Sequence, residues 1–210
     1  MSDVQSDASR SPSPKWRGLA SPDQVAQALI DLFDQNGHHH YDEVVTQTSH
    51  ALQCAELAKT AGASSDLVLA ALLHDIGHLL EPAHDPRRSS IDFRHEHLGS
   101  RFLANWFPLG VTEPIRLHVV AKRYLCRIDS SYAAGLSPAS TTSLQLQGGA
   151  LDENEAREFE HNEWHQDAVE LRRWDDLAKE ADFAGGSVDE FRAELVRAVR
   201  SGASEREDAR

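Results

Sequence analysis

Residues 67–73 read Leu-Val-Leu-Ala-Ala-Leu-Leu, and His74 and Asp75 follow without a break. An apolar helix with no polar stripe has to be covered on every face, so it belongs at the centre of a helical fold. Two ionisable side chains at its end are then buried as well, which costs several kcal/mol unless they are paired or bound to a cation. Neighbouring ligands at a helix end can serve one cavity, where a carboxylate bridges two metals while an imidazole binds one. Gly77 relieves the backbone just beyond the pair and lets the chain turn away. The plainer alternative is a buried His–Asp hydrogen-bonded pair without metal.

Helical patterns dominate the rest of the chain, and strand signals are nearly absent. Ser21-Pro22 supplies a cap and a first-turn proline, followed by an apolar stripe of Val25, Leu29, Ile30, Leu32 and Phe33 that Gly37 ends. A second helix is expected from Val44 to Ala61, carrying His50, Cys54 and Leu57, with Gly62 as its stop. After a loop holding Pro82 and Pro86, a helix from Phe93 to Trp106 is expected. Pro108, Gly110 and Pro114 then punctuate the approach to another, containing Ile115, His118 and Tyr124. Residues 126–149 read as loop with a short helix near Pro138. One long helix from Glu153 to Ala181 and a last one from Val188 to Arg200 complete the pattern. The expectation is one all-α helical bundle over residues 21–202. A leader of residues 1–20, rich in Ser, Pro and Asp, and a polar tail of residues 203–210 are expected to be disordered.

Charge narrows the partners. The 210 residues hold 21 Lys and Arg against 34 Asp and Glu, a formal net charge of −13. Such a balance argues against a nucleic-acid partner, whose phosphates are held by clustered Lys and Arg. It leaves room for a small anion in a local basic pocket. No apolar run approaches the roughly 20 residues of a membrane span, and the N-terminal segment lacks a signal-peptide core. Two cysteines, Cys54 and Cys126, make no disulfide framework, so a cytoplasmic location is expected.

Histidine is abundant, twelve in all. In chain order His50, the His74-Asp75 pair, His95, His118 and Asp175 each fall within helical stretches. Together they provide nitrogen and oxygen ligands for two metals sharing one carboxylate. A ligand set without thiolate suits iron, manganese or zinc in a functional site rather than a structural zinc. His97 rivals His95, and Asp176 rivals Asp175; periodicity alone leaves both choices open.

Longer stretches carry a resemblance. VTQTSHALQCAELAKTAGA, LAALLHDIGHLL, HEHLGSRFL, HVVAKRYL, SYAAGLSPAS, LQLQGGALDENEAREFE and LRRWDD are similar to the mixed-valence diiron oxygenases of phosphonate catabolism. These form a branch of the HD-domain superfamily that includes the 2-amino-1-hydroxyethylphosphonate dioxygenases. The likeness runs from about Tyr41 to Asp182. It implies an HD-domain bundle with a dinuclear Fe(II)/Fe(III) site in its core. One iron would be held by His50, His74 and Asp175, the other by His95 and His118, with Asp75 bridging. It therefore selects His95 over His97 and Asp175 over Asp176. It further implies a phosphonate-binding group of His78, Lys122, Ser140 and Arg172. A lid is implied in which a tyrosine covers the metal and Glu43 meets the cationic end of the substrate. Here Tyr41 lies two residues before Glu43 rather than three, and His40 takes the position expected for tyrosine.

The resemblance thus implies an oxidoreductase that uses O2 to cleave the carbon–phosphorus bond of a 1-hydroxyalkylphosphonate. The expected substrate is 2-amino-1-hydroxyethylphosphonate, giving glycine and phosphate. The alternatives are a metal-dependent phosphohydrolase acting on a nucleotide or phosphoester, which uses the same ligand types, and a non-catalytic HD module that senses a ligand.

Overall fold

Residue 16 and residues 18–39, 45–80 and 94–199 are described by a computed structural model. Helix α1 (Pro22–Asn36) opens with a capping box, in which the Ser21 hydroxyl accepts from the Gln24 amide and the Gln24 side chain answers. Thr46 caps α2 (Gln47–Thr60) and Ser64 caps α3 (Ser65–Leu73), each side chain accepting a backbone N–H of the first turn. Helix α3 stops at Leu73, with His74 as its C-terminal cap, and the chain turns through Asp75 into the short α4 (Ile76–Leu80).

Helix α5 (His95–Leu103) leads to the long α6 (Leu109–Ile128), followed by α7 (Ser130–Gly135) and α8 (Pro138–Leu146). Helices α9 (Glu153–Glu160) and α10 (His165–Leu177) come next. A 3-10 turn at Val188–Phe191 continues as helix over residues 192–199. Among the described residues there is no β-strand beyond an isolated bridge at Thr46.

Every residue of 67–73 is buried, as an all-apolar helix requires. Helix α3 packs against α2, α6 and α10, while α5 closes on α4 and α6. Leu69, Leu72 and Leu73 are each at most 1% exposed, so truncating any one to alanine costs about 2–5 kcal/mol. A smaller cluster of Leu117, Leu151, Phe159 and Ala168 packs beneath α6, α9 and α10. Gly77 is required by a close approach: a Cβ there would stand 2.1 Å from the His95 carbonyl oxygen. The turn after the His-Asp pair is thereby pressed against the start of α5.

Several expected boundaries move. Pro114 lies inside α6 rather than ahead of it. It removes one backbone donor near the start of a twenty-residue helix whose remaining turns are buried on one side. The long helix expected from Glu153 to Ala181 is two helices. Asn162 breaks it: its side-chain oxygen accepts from the Trp164 amide and its carbonyl from the His165 amide. Within the leader expected over residues 1–20, Trp16 is 5% exposed and meets Phe102 edge-on at 4.7 Å, while residues 1–15 and 17 lie outside the described residues. Residues 203–210 lie outside the described residues.

Candidate metal centre

Four imidazoles and two carboxylates converge between α2, α3, α5, α6 and α10. His50 lies on α2, His74 and Asp75 at the end of α3, His95 opens α5, His118 is mid-α6 and Asp175 is on α10. His50 and His74 are 0% exposed, His118 1%, Asp175 2% and Asp75 8%.

The histidine tautomers are fixed from behind. His50 donates Nδ1–H to the Ala178 carbonyl at 2.8 Å, His74 to Ala71 at 2.9 Å and His118 to Ile115 at 2.7 Å. A carbonyl only accepts, so each Nδ1 holds a hydrogen, and in the neutral imidazole each Nε2 is left with the lone pair. Nε2 of His50 and His74 are 3.2 Å apart, so their lone pairs face each other, and Nε2 of His95 and His118 are also 3.2 Å apart. Two facing lone pairs repel unless a cation or a proton sits between them.

The carboxylates complete both pairs. Oδ2 of Asp75 lies 3.9 Å and 3.6 Å from Nε2 of His50 and His74. Its Oδ1 lies 3.2 Å and 3.8 Å from Nε2 of His95 and His118. Asp175 turns Oδ1 to the first pair, 3.3 Å from His50 Nε2, and Oδ2 to the Arg172 guanidinium at 2.6 Å. Burial alone would raise both carboxyls. The His74 and His95 imidazoles beside Asp75, and Arg172 and His50 beside Asp175, outweigh it and hold both well below the usual carboxylate range. Burial, together with His95 and His74, pushes His118 down to about 3, so its Nε2 keeps its lone pair. These residues fit metal ions: Asp75, His95 and His118 gather one nest of nitrogen and oxygen donors, and His50 and His74 another in which Cys54 Sγ also stands.

His95 and Asp175 face the cluster, and their rivals His97 and Asp176 do not. The His97 side chain is 47% exposed, against 14% for His95. Asp176 faces Tyr132 and Arg172, where its Oδ2 accepts from the tyrosine hydroxyl at 2.5 Å. Cys54, one turn after His50, brings Sγ to 3.8 Å from Nε2 of that histidine. Burial pushes its thiol up, which keeps it a neutral neighbour.

Of the expected phosphonate-binding group, Lys122 is 2% exposed and donates to Ser143 Oγ at 2.7 Å. Burial, with Arg172 nearby, brings its ammonium down to about 8. Ser140 is buried, its Oγ accepting from Ser137 at 3.1 Å and its carbonyl from Ser143 at 3.0 Å. Arg172 is held by Asp175, Asp176 and Tyr132, so much of its fork is spent within the protein. His78 stacks on His95 with centroids 4.2 Å apart. Glu43, Tyr41 and His40, expected to form the lid, lie outside the described residues. Reasoning from sequence missed Ser143 and Tyr132; only the spacing of Ser143, one turn after Ser140, marked it.

The HD domain family model matches residues 48–130. The hydroxymethylphosphonate dioxygenase of Gimesia maris is 46% identical over 177 residues, covering 83% of this chain and 88% of that protein. The glycine-betaine-forming [1-hydroxy-2-(trimethylamino)ethyl]phosphonate dioxygenase of Leisingera caerulea is 40% identical over 160 residues, 75% of this chain and 82% of its own length. With an HD core, a buried histidine–carboxylate cluster and likeness at this level over most of its length, the chain belongs to the HD-domain phosphonate dioxygenases.

Proposed function

We propose that this enzyme uses O2 and a mixed-valence iron pair to break the carbon–phosphorus bond of a small 1-hydroxyalkylphosphonate. In this reading His50, His74 and Asp175 hold one iron, His95 and His118 the other, and Asp75 links them. The observation that carries it is the Asp75 carboxylate, whose two oxygens face different histidine pairs. When bound, an Fe(II)/Fe(III) pair supplies a Lewis acid for chelating the substrate and the electrons that activate O2.

The chain's own residues bind and orient the anion. Lys122 gives one of its three N–H donors to Ser143 and has two for phosphonate oxygens. A dianion offsets the repulsion between this buried ammonium and Arg172, which then contributes the hydrogens not committed to Asp175, Asp176 and Tyr132. Ser140 keeps its hydroxyl hydrogen to donate, since its Oγ is the acceptor of the Ser137 bond. His78, stacked on His95, brings an imidazole beside the second histidine pair. Fixing the phosphonate at these groups fixes the C1–H against the oxidant, which is where an enclosed site gains most of its rate.

Resemblance favours an amine-bearing substrate met by Glu43. Of the two relatives named above, the more similar one is a hydroxymethylphosphonate dioxygenase, which favours a tail-less substrate, and the other is named for a trimethylammonium substrate. We take hydroxymethylphosphonate as the substrate: with O2 it yields formate, phosphate and one proton, and all atoms balance. The test is phosphate release with oxygen uptake from hydroxymethylphosphonate, 2-amino-1-hydroxyethylphosphonate and the trimethylammonium analogue. The expected result is one O2 consumed per phosphate, with the tail-less substrate fastest. Phosphate release under strict anaerobiosis would make the enzyme a hydrolase and overturn the reading.

A further inference from the structure

Three of the four converging histidines rest their Nδ1–H on a neutral backbone carbonyl: Ala178 for His50, Ala71 for His74 and Ile115 for His118. His95 has no such carbonyl. The carboxylate beside its Nδ1 is Glu96, whose Oε2 stands 3.6 Å away. Glu96 is 3% exposed although it is a carboxylate next to a helix start. Its other oxygen, Oε1, accepts from His97 Nδ1 at 3.0 Å. Oε2 is buried and has no hydrogen-bond partner. A buried carboxylate oxygen without a partner costs several kcal/mol. The ring nitrogen that would satisfy it is too far for a hydrogen bond as placed, yet less than 1 Å from one.

We propose that Glu96 is the positioning residue of His95: it accepts the Nδ1–H when Nε2 binds metal, and it makes the His95/His118 site the more electron-rich of the two. A charged acceptor behind an imidazole pulls the N–H proton toward itself and strengthens the donor power of the opposite nitrogen more than a carbonyl does. The two sites share Asp75, so their difference has to come from what is not shared. The His50/His74 site has the second carboxylate, Asp175, but Arg172 neutralises it directly through Oδ2. The His95/His118 site has no second carboxylate among the described residues within its own ligand set. Glu96 restores a negative charge there at one remove. This stabilises the higher oxidation state at that site and gives the pair a built-in polarity.

The proposal rests on the two-metal reading, and the experiment separates their failures. Metal-free wild type and Glu96→Gln are titrated anaerobically with Fe(II), iron is counted per chain, and the half-oxidised proteins are examined by EPR. Gln keeps the shape and an acceptor oxygen but not the charge. The wild type is expected to take up two equivalents. In Glu96→Gln one equivalent binds 10–100-fold more weakly, the other is unchanged, and the mixed-valence signal shrinks. Two unchanged equivalents with an unchanged signal would overturn the role of Glu96. A wild type that binds a single equivalent would overturn the two-metal reading, and the proposal with it. Should Glu96→Gln not fold, the Co(II)-loaded wild type gives the answer by proton NMR. The hyperfine-shifted His95 N–H is expected to exchange slowly and to show contact with the Glu96 methylene protons. Rapid exchange without that contact would overturn the proposal.

Discussion

Lys122 is a cation placed where folding alone would not put one. It is 2% exposed, its hydrogen-bond partner among the described residues is a serine hydroxyl, and burial with Arg172 brings it down to about 8. Replacing it by an apolar side chain of similar length removes a buried charge, and such replacements are commonly stabilising by about 1–4 kcal/mol. Lys122→Met should therefore melt higher than wild type at pH 7 while its KM for the phosphonate rises at least tenfold. Because the folded-state value is depressed, the unfolded chain binds the extra proton between pH 8 and 10.5. Wild-type stability thus rises with pH through that window, and the gap to Lys122→Met closes. Free-enzyme kcat/KM should fall as pH rises through about 8, where the ammonium is lost, and the variant should lack that limb. If the limb persists in Lys122→Met, another group carries it. At this scale the sequence was a good guide to residue types and a poor one to choices between neighbours. His95 and His97 are two positions apart and Asp175 and Asp176 adjacent, so each pair straddles the edge of a buried face. Only the crossing of α5 and α10 with α3 decides which member faces inward.

Elements hold the ligands through contacts that no periodicity reveals. Gln53, one turn beyond Ser49 on α2, grips the chain just after α10: its amide donates to the Glu180 carbonyl at 3.0 Å and accepts from the Glu180 N–H at 2.8 Å. Two residues earlier, the Ala178 carbonyl receives His50 Nδ1–H. One glutamine therefore ties α2, which carries His50, to the end of the helix that carries Asp175. Gln53→Leu removes both hydrogen bonds to the Glu180 backbone, at about 0.5–1.5 kcal/mol each. It should also weaken metal binding at the His50/His74 site more than at the His95/His118 site. Equal loss at both sites would mean that the clamp stabilises the fold alone. Gly77→Ala is a harsher test. Its Cβ would fall 2.1 Å from the His95 carbonyl, so α4 and α5 must part and the soluble, metal-binding yield should collapse. The apolar pattern disclosed α1, where the Ser21 cap precedes a clear stripe, and α3 as an unbroken apolar run, while α2, expected from Val44, starts at Gln47. It failed at Asn162, where a side chain bonding its own backbone ends one helix and starts another within a polar stretch.

Across the whole molecule, five helices meet at side chains that would not be buried together without a cation. His50, His74, His118, Asp75 and Asp175 are all under a tenth exposed, and the facing Nε2 pairs at 3.2 Å repel when both are unprotonated. Metal binding is therefore part of the stability of the bundle as well as of its chemistry, since the unfolded chain has no such constellation. A free metal concentration a thousand times the dissociation constant contributes about 4 kcal/mol per site, or roughly 8 kcal/mol for two. At about 2–4 °C per kcal/mol for a chain of this size, chelation should lower Tm by roughly 15–30 °C. Asp75 joins the two halves of the cluster, so Asp75→Ala should melt near the chelated wild type and gain little from added iron. Asp175→Ala should lose only one step. The measurement is thermal unfolding by circular dichroism, with and without chelator, for the three proteins under argon. Identical melting of the loaded and chelated wild type would show that the bundle is held by its apolar centre alone. The cation would then be a guest of the helices and no part of what closes them.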